Sequence, residues 1–316
     1  MRIGQKRYPC KPQYLLAARL PEPLHQIHVP SQCLCNETLG VAERVLKVRT
    51  SLSPGVAELL RMTMWSLRVT PRKLDPGMLL STCPTGKSAT YAEALESFLE
   101  YPLNPQDAQI SAFVKMERMQ LLKPGKFKEP RIIQARTVRF NVQLGMYTRA
   151  IELQLKSLLD PRWQSIGVRA PVIAKGHNLT QRYQTLQQLW MLYRNPVAIS
   201  MDLSRWDMRV STELLELLAE YYETMFPDPA LKEILSHLTD NKCRTRNGLK
   251  FKRRFGVTSG DMTTALGNCV AVIAIVFAYR VVVETIVTRP DAAPYAVKQL
   301  VHQMLQHEDT SLQRKL

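Results

Sequence analysis

Two aspartates five positions apart, Asp202 and Asp207, end the segment Val197-Ala-Ile-Ser-Met-Asp-Leu-Ser-Arg-Trp-Asp. The apolar run with Val197 and Ile199 predicts a short buried strand that delivers Asp202 at its C-terminal end. A carboxylate in that position suits a hard cation, because Mg²⁺ takes oxygen ligands and usually shares them with substrate phosphates. On its own the pattern is equally well explained by two solvated aspartates flanking a strand. Downstream, Ser259-Gly260 leads into a helix on which Thr264 and Asn268 are four residues apart and so share a face. Small polar side chains beside a glycine let a sugar and its base approach closely. The asparagine amide, donor and acceptor at once, can read a ribose hydroxyl.

Cations surround these residues. The formal net charge is +16, which points to a polyanionic partner, nucleic acid or an anionic membrane surface. Lys115, Arg118, Lys123, Lys126, Lys128, Arg131, Arg136 and Arg139 stand against only Glu117 and Glu129. Lys242, Arg244, Arg246, Lys250, Lys252, Arg253 and Arg254 form a second cluster with no acid among them. A solvated basic face would explain either cluster alone; two clusters flanking one acidic strand end are less easily explained that way. Lys supplies point charge and Arg a bidentate fork, so the first cluster suits a triphosphate.

The elements that must position these groups are partly readable. Ala112–Met119 alternates apolar and charged residues as a half-exposed strand would, Lys123-Pro-Gly-Lys126 is a turn, and Lys128–Arg136 is a second extended piece. Helices are expected over 56–67, 90–99, 141–159 and 178–193, the last capped by Asn178. Ser211 or Thr212 caps another, and Asn247-Gly248 marks a hairpin carrying the second basic cluster. Residues 1 to about 55, rich in Pro and basic residues, read as an irregular extension or docking arm. The six cysteines have no metal-knuckle spacing and read as reduced thiols in an intracellular protein; no signal peptide is apparent. The apolar run from Cys269 to Val283, broken by Arg280, reads as a buried helix rather than a transmembrane segment. Ser81–Ser88 contains a Gly-Lys-Ser, but Ser81 stands where a P-loop needs glycine and Pro84 lies within the loop, which argues against a P-loop NTPase.

With these motifs in order, the sequence resembles a viral RNA-dependent RNA polymerase, most closely the tombusvirus-like positive-strand group, over roughly Ala112 to Arg280. Motif F resembles Phe113-Val-Lys-Met-Glu117 with Pro130–Gly145, motif A resembles Asp202-Leu-Ser-Arg-Trp-Asp207, and motif B resembles Ser259-Gly-x3-Thr264-x3-Asn268. The resemblance implies that Asp202 holds Mg²⁺ (or Mn²⁺). It implies that Asp207 and Asn268 recognise the incoming ribose, assisted by Thr264 and Ser259 beside Gly260. Lys115 and Arg131 would contact the triphosphate, and Arg136 and Arg139 would contact phosphate or template. The implied reaction is attack of an RNA 3′-hydroxyl on the α-phosphate of an NTP, assisted by two metal ions.

Motif C, a Gly-Asp-Asp that supplies a second carboxylate, has no match. Glu308 and Asp309 are the acidic pair downstream of motif B and stand as a diverged candidate. Three readings follow: a polymerase portion, truncated or completed by a partner chain carrying motif C and thumb; a catalytically inactive RNA-binding relative acting as replication cofactor; and the P-loop NTPase. The expected architecture is α+β, mostly helical, with right-hand polymerase fingers, an incomplete palm and no thumb. An N-terminal extension would occupy 1–100, fingers 101–195, palm and fingers with motifs A and B 196–290, and a tail 291–316. The long helix after Ser259 is expected to pack Val270, Ile273, Val276 and Phe277 against the motif A strand. RNA and NTPs are the expected partners, in a replication complex of the host cytoplasm.

Overall fold

Most helices begin where a polar side chain can take up an orphan backbone N–H. In the computed structural model, which describes residues 14–18, 27–47, 50–120, 128–160, 164, 166–198 and 200–288, helix α1 (Leu34–Val41) continues into a π-helical turn, Ala42–Leu46. Ser53 caps α2 (Pro54–Ser66) and Asp75 caps α3 (Pro76–Ser81), each with proline in the first turn. Helix α4 spans Ser88–Glu100, and Thr137 caps α5 (Val138–Ser157). Asn178 and Gln181 form a reciprocal capping box on α6 (Leu179–Met191). A single turn, α7 (Trp206–Arg209), precedes α8 (Thr212–Met225), which Ser211 caps, and α9 (Pro229–Ser236), which Asp228 caps. The chain then reaches α10 (Thr263–Thr288).

Two small sheets complete the α+β fold, which is mostly helical as expected. Strands β1 (Tyr14–Ala18), β2 (Ile27–Pro30) and β4 (Met119–Gln120) form one. The other has the order β5-β3-β6-β7, from β3 (Ile110–Val114), β5 (Ile132–Ala135), β6 (Asn241–Thr245) and β7 (Lys250–Arg253). Strands β3 and β5 pair antiparallel, as the two extended basic pieces predict; β3 and β6 pair parallel. The larger core joins Phe140, Leu144, Tyr147, Ile151 and Leu155 of α5 to Leu214, Leu218, Tyr221 and Tyr222 of α8 and to Val270 and Ala274 of α10. A second core lies between the β5-β3-β6-β7 sheet and α1, where Val41 and Val45 meet Ile110, Ala112, Val114, Cys243 and Phe251.

Several expectations are corrected. The expected strand over 197–202 is not found among the described residues: Val197, Ala198, Ser200, Met201 and Asp202 enter neither sheet, and Val197 and Met201 are 84% and 68% exposed. A strand needs a neighbour for its N–H and C=O groups, and this segment has none among the described residues. Helix α10 therefore packs on α2, α5 and α8. Its buried stripe is Val270, Ala271, Ala274, Ala278 and Val282, while Val276 is 40% exposed; the alanines allow close approach. Over Thr263–Val283 this helix is long and apolar enough to cross a membrane. Residues 27–47 are not an irregular arm. Their periodicity is weak because α1 buries polar as well as apolar groups: the fully buried Glu37 accepts hydrogen bonds from the backbone and side-chain nitrogens of Asn247. No strand leads into Thr85–Lys87, which is one 3₁₀ turn between α3 and α4, so the strand–loop–helix context of a P-loop is missing. The Lys123–Lys126 turn, Glu308 and Asp309 lie outside the described residues.

Candidate active site

The sheet presents the edge of β5 to the loop that opens α10. Gly260 donates from its N–H to the carbonyl of Gln134 at 2.7 Å, and Ser259 Oγ accepts from the Gln134 N–H at 3.0 Å. A Cβ on Gly260 would stand 2.8 Å from that carbonyl, so glycine is what permits the approach. Asn141 on α5 holds the same loop from its other side, donating to the Gly260 carbonyl and accepting from Met262 N–H.

The segment bearing the two aspartates is pinned by its backbone. Val257 N–H donates to the Asp207 carbonyl and Gly256 N–H to the Val210 carbonyl, both at 2.7 Å. Gly256 adopts φ +78°, and a Cβ there would lie 2.8 Å from the Asp207 carbonyl. Gly256→Ala is therefore expected to destabilise the protein by about 2–4 kcal/mol, combining left-handed strain with this clash. Urea denaturation measures it. Arg205, between the aspartates, is also left-handed, at φ 54°. Its guanidinium donates to Glu129 at 3.2 Å and to the Glu43 carbonyl, contacts that hold an unfavourable backbone.

These elements enclose a cleft of about 890 Å³ lined by Arg118, Lys128, Arg131, Asp202, Asp207 and Ser259, with Arg44, Glu117, Arg205 and Trp206. Asp202 is exposed and makes no hydrogen bond or ion pair among the described residues. Surrounding protein raises the Asp207 carboxyl pKa above its ordinary value, while Arg131 and Arg253 pull it down. Glu117 pairs with Lys115 at 2.9 Å and Arg131 at 3.4 Å. Arg131, Asp202, Asp207 and Ser259 thus line one cleft, while Lys115 and Gly260 do not line it themselves but bond to its lining residues Glu117 and Gln134.

Four predicted site residues are placed otherwise. Arg136 is fully buried: it pairs with Asp261 at 3.0 Å and also donates to Asn241 Oδ1 and to the carbonyls of Ala108 and His237. Arg139 donates to Ser97, Tyr101 and Pro102 and pairs with Asp107. Each guanidinium nitrogen of both arginines is engaged by protein, and neither residue lines the cleft. Thr264 Oγ1 donates to the Thr258 carbonyl, and Asn268 Oδ1 accepts from Trp206 Nε1 at 2.9 Å. Thr264 and Asn268 line a separate small crevice behind the cleft wall, linked to the cleft through Trp206. Sequence reasoning misses Arg44, Arg205, Trp206 and Gln134. Arg205 and Trp206 lie inside the Asp-x4-Asp spacing, which could have flagged them; Arg44 carries no local signal.

For a metal ion, Asp202 and Asp207 offer carboxylates facing the cleft, and no three His, Cys, Asp or Glu residues gather among the described residues. That donor set fits Mg²⁺ shared with substrate phosphates, and not a cage built by protein alone.

The family described as viral RNA dependent RNA polymerase matches residues 1–286. The chain belongs to this family. Among RNA-directed RNA polymerases, that of Tobacco necrosis virus (strain A) is 36% identical over 62% of this chain and 27% of its own length. That of Groundnut rosette virus (strain MC1) is 30% identical over 78% of this chain and 29% of its own. For Melon necrotic spot virus the values are 30%, 79% and 33%. The chain thus spans about a third of the length of these curated relatives or less.

Proposed function

We propose that this chain is the nucleotide-loading portion, motifs F, A and B, of a viral RNA-directed RNA polymerase, with fingers at about 101–195 and part of the palm at 196–290. The observation that carries this reading is the single cleft that Arg131, Asp202, Asp207 and Ser259 line together, with Lys115 tied to it through Glu117. Lys115 and Arg131 bind the triphosphate by exchanging Glu117 for phosphate oxygens; exposed ion pairs are weak, so the exchange costs little. Asp202 holds a divalent metal, and Asp207 accepts from a ribose hydroxyl. Asn268 keeps its amide N–H donors for the same sugar and reaches it when Trp206 releases its Oδ1. Bound Mg²⁺ supplies charge that stabilises the attacking and leaving oxygens. The second carboxylate comes from a further polypeptide segment, on this chain or a partner, and Glu308 and Asp309 are candidates for it. RNA template, NTPs and a replication complex in the host cytoplasm follow from this reading.

Triphosphate binding tests it. Lys115→Gln with Arg131→Gln should weaken binding of a fluorescent NTP in Mg²⁺ by at least about tenfold, since two charge-assisted hydrogen bonds to phosphate are removed. The melting temperature should hold, because both side chains are substantially exposed. Unchanged NTP affinity would overturn the assignment of the cleft.

A further inference from the structure

The β5-β3-β6-β7 sheet buries one face on α1, and among the described residues its other face is open. Along β6 and β7 the burial alternates, so that Lys242, Arg244, Lys250 and Lys252 all point outward while Cys243, Phe251 and Arg253 point in. The register makes this arrangement costly. Lys242 stands directly opposite Lys252, and Arg244 directly opposite Lys250. Like charges facing each other across an antiparallel pair destabilise it, and none of these four side chains has an ion pair or hydrogen bond among the described residues. The next strand extends the surface. Ser111 of β3 is the partner of Arg244, and two residues on, Phe113 is 37% exposed on the same face.

We propose that this open face is an RNA-binding track separate from the cleft, which takes single-stranded RNA with its phosphates on the β6–β7 cations and a base stacked on Phe113. The cleft meets the sheet through Ile132 and Gln134, the inward residues of β5, so an RNA on the open face lies on the sheet's other side. A row of unpaired cations suits the phosphate backbone, and an exposed aromatic ring suits any base without sequence preference. The repulsion within the two cross-strand pairs is relieved when phosphates lie between them. An anionic membrane would be drawn to the same charges and would also accept an aromatic ring at its interface, so vesicle binding is measured beside RNA binding.

The test uses the full chain with a labelled homopolymeric RNA, titrated at several salt concentrations. Changing Lys242, Arg244, Lys250 and Lys252 together to Gln should lower RNA affinity at least about thirtyfold and reduce the salt slope by about 3, at roughly 0.7 for each phosphate no longer neutralised. Phe113→Ala should weaken binding about fivefold or more with the salt slope unchanged. The melting temperature of the quadruple variant should stay level or rise, because the repelling pairs are gone, and NTP binding in the cleft should be untouched. NTP binding by this variant also separates failure of the track from failure of the proposed cleft. RNA affinity and salt slope equal to wild type would overturn the track. So would unchanged RNA binding accompanied by abolished binding to phosphatidylserine-containing vesicles, which would assign the face to a membrane.

Discussion

Replacing Asp202 with alanine is expected to abolish Mg²⁺-dependent RNA synthesis, by this chain alone or by any complex it completes, while RNA binding and stability hold. The carboxylate is exposed in the cleft and makes no hydrogen bond or ion pair among the described residues, so its removal should change stability by no more than about 0.5 kcal/mol. Its proposed role is to fix the metal that the triphosphate shares. Losing a ligand of that kind should reduce synthesis on the order of 10³-fold or more, equivalent to about 4 kcal/mol of transition-state stabilisation. Primer-extension assays across a Mg²⁺ titration, paired with filter binding of RNA, separate the two effects. Retention of full synthesis by the variant would remove Asp202 from the metal site. Loss of RNA binding in parallel would recast it as a structural or template-contacting group.

What can be read from the sequence divides along the distance over which each feature is determined. Helix starts are local, so the Asn178 cap and a cap at Ser211 or Thr212 are visible in short windows; the structure adds the reciprocal Gln181 bond and selects Ser211. The Asn247-Gly248 hairpin is local too. The Val197–Asp202 segment misleads because strandedness depends on a partner that the window does not contain, and apolar β-branched residues only make pairing possible. Charge is the other blind spot. Lys115, Arg131, Arg136 and Arg139 look alike in a basic run, yet two lie about the cleft and two are enclosed by the fold. The acid that captures Arg136 is Asp261, far away in the chain. Arg44 illustrates the reverse case, an N-terminal residue brought to the cleft by α1 docking on the sheet. Within motif A, the Asp-x4-Asp spacing marks the right place, but the left-handed Arg205 and the Trp206–Asn268 bond that shape it are visible only in three dimensions.

The buried pair offers the largest expected effect on the fold itself. Arg136 and Asp261 have side chains 0% and 1% exposed, and their ion pair joins the end of β5 to the loop that opens α10. Arg136 also ties in Asn241 at the start of β6 and the carbonyl of His237 just past α9. Arg136→Met should therefore destabilise the protein by about 3–5 kcal/mol, because an uncompensated carboxylate and several acceptors remain in a dry site. The double change Arg136→Met with Asp261→Leu should recover much of that loss, since exchanging a buried ion pair for packed apolar groups of similar volume is often neutral or better. Denaturant unfolding of the wild type, both single variants and the double variant yields the coupling directly. The cycle also decides between two roles for Arg136. As a structural clamp it predicts reduced stability with NTP affinity per folded molecule intact. A phosphate ligand would show the opposite, normal stability with weakened NTP binding; every guanidinium nitrogen of Arg136 already has a protein partner, which is the reason to expect the first.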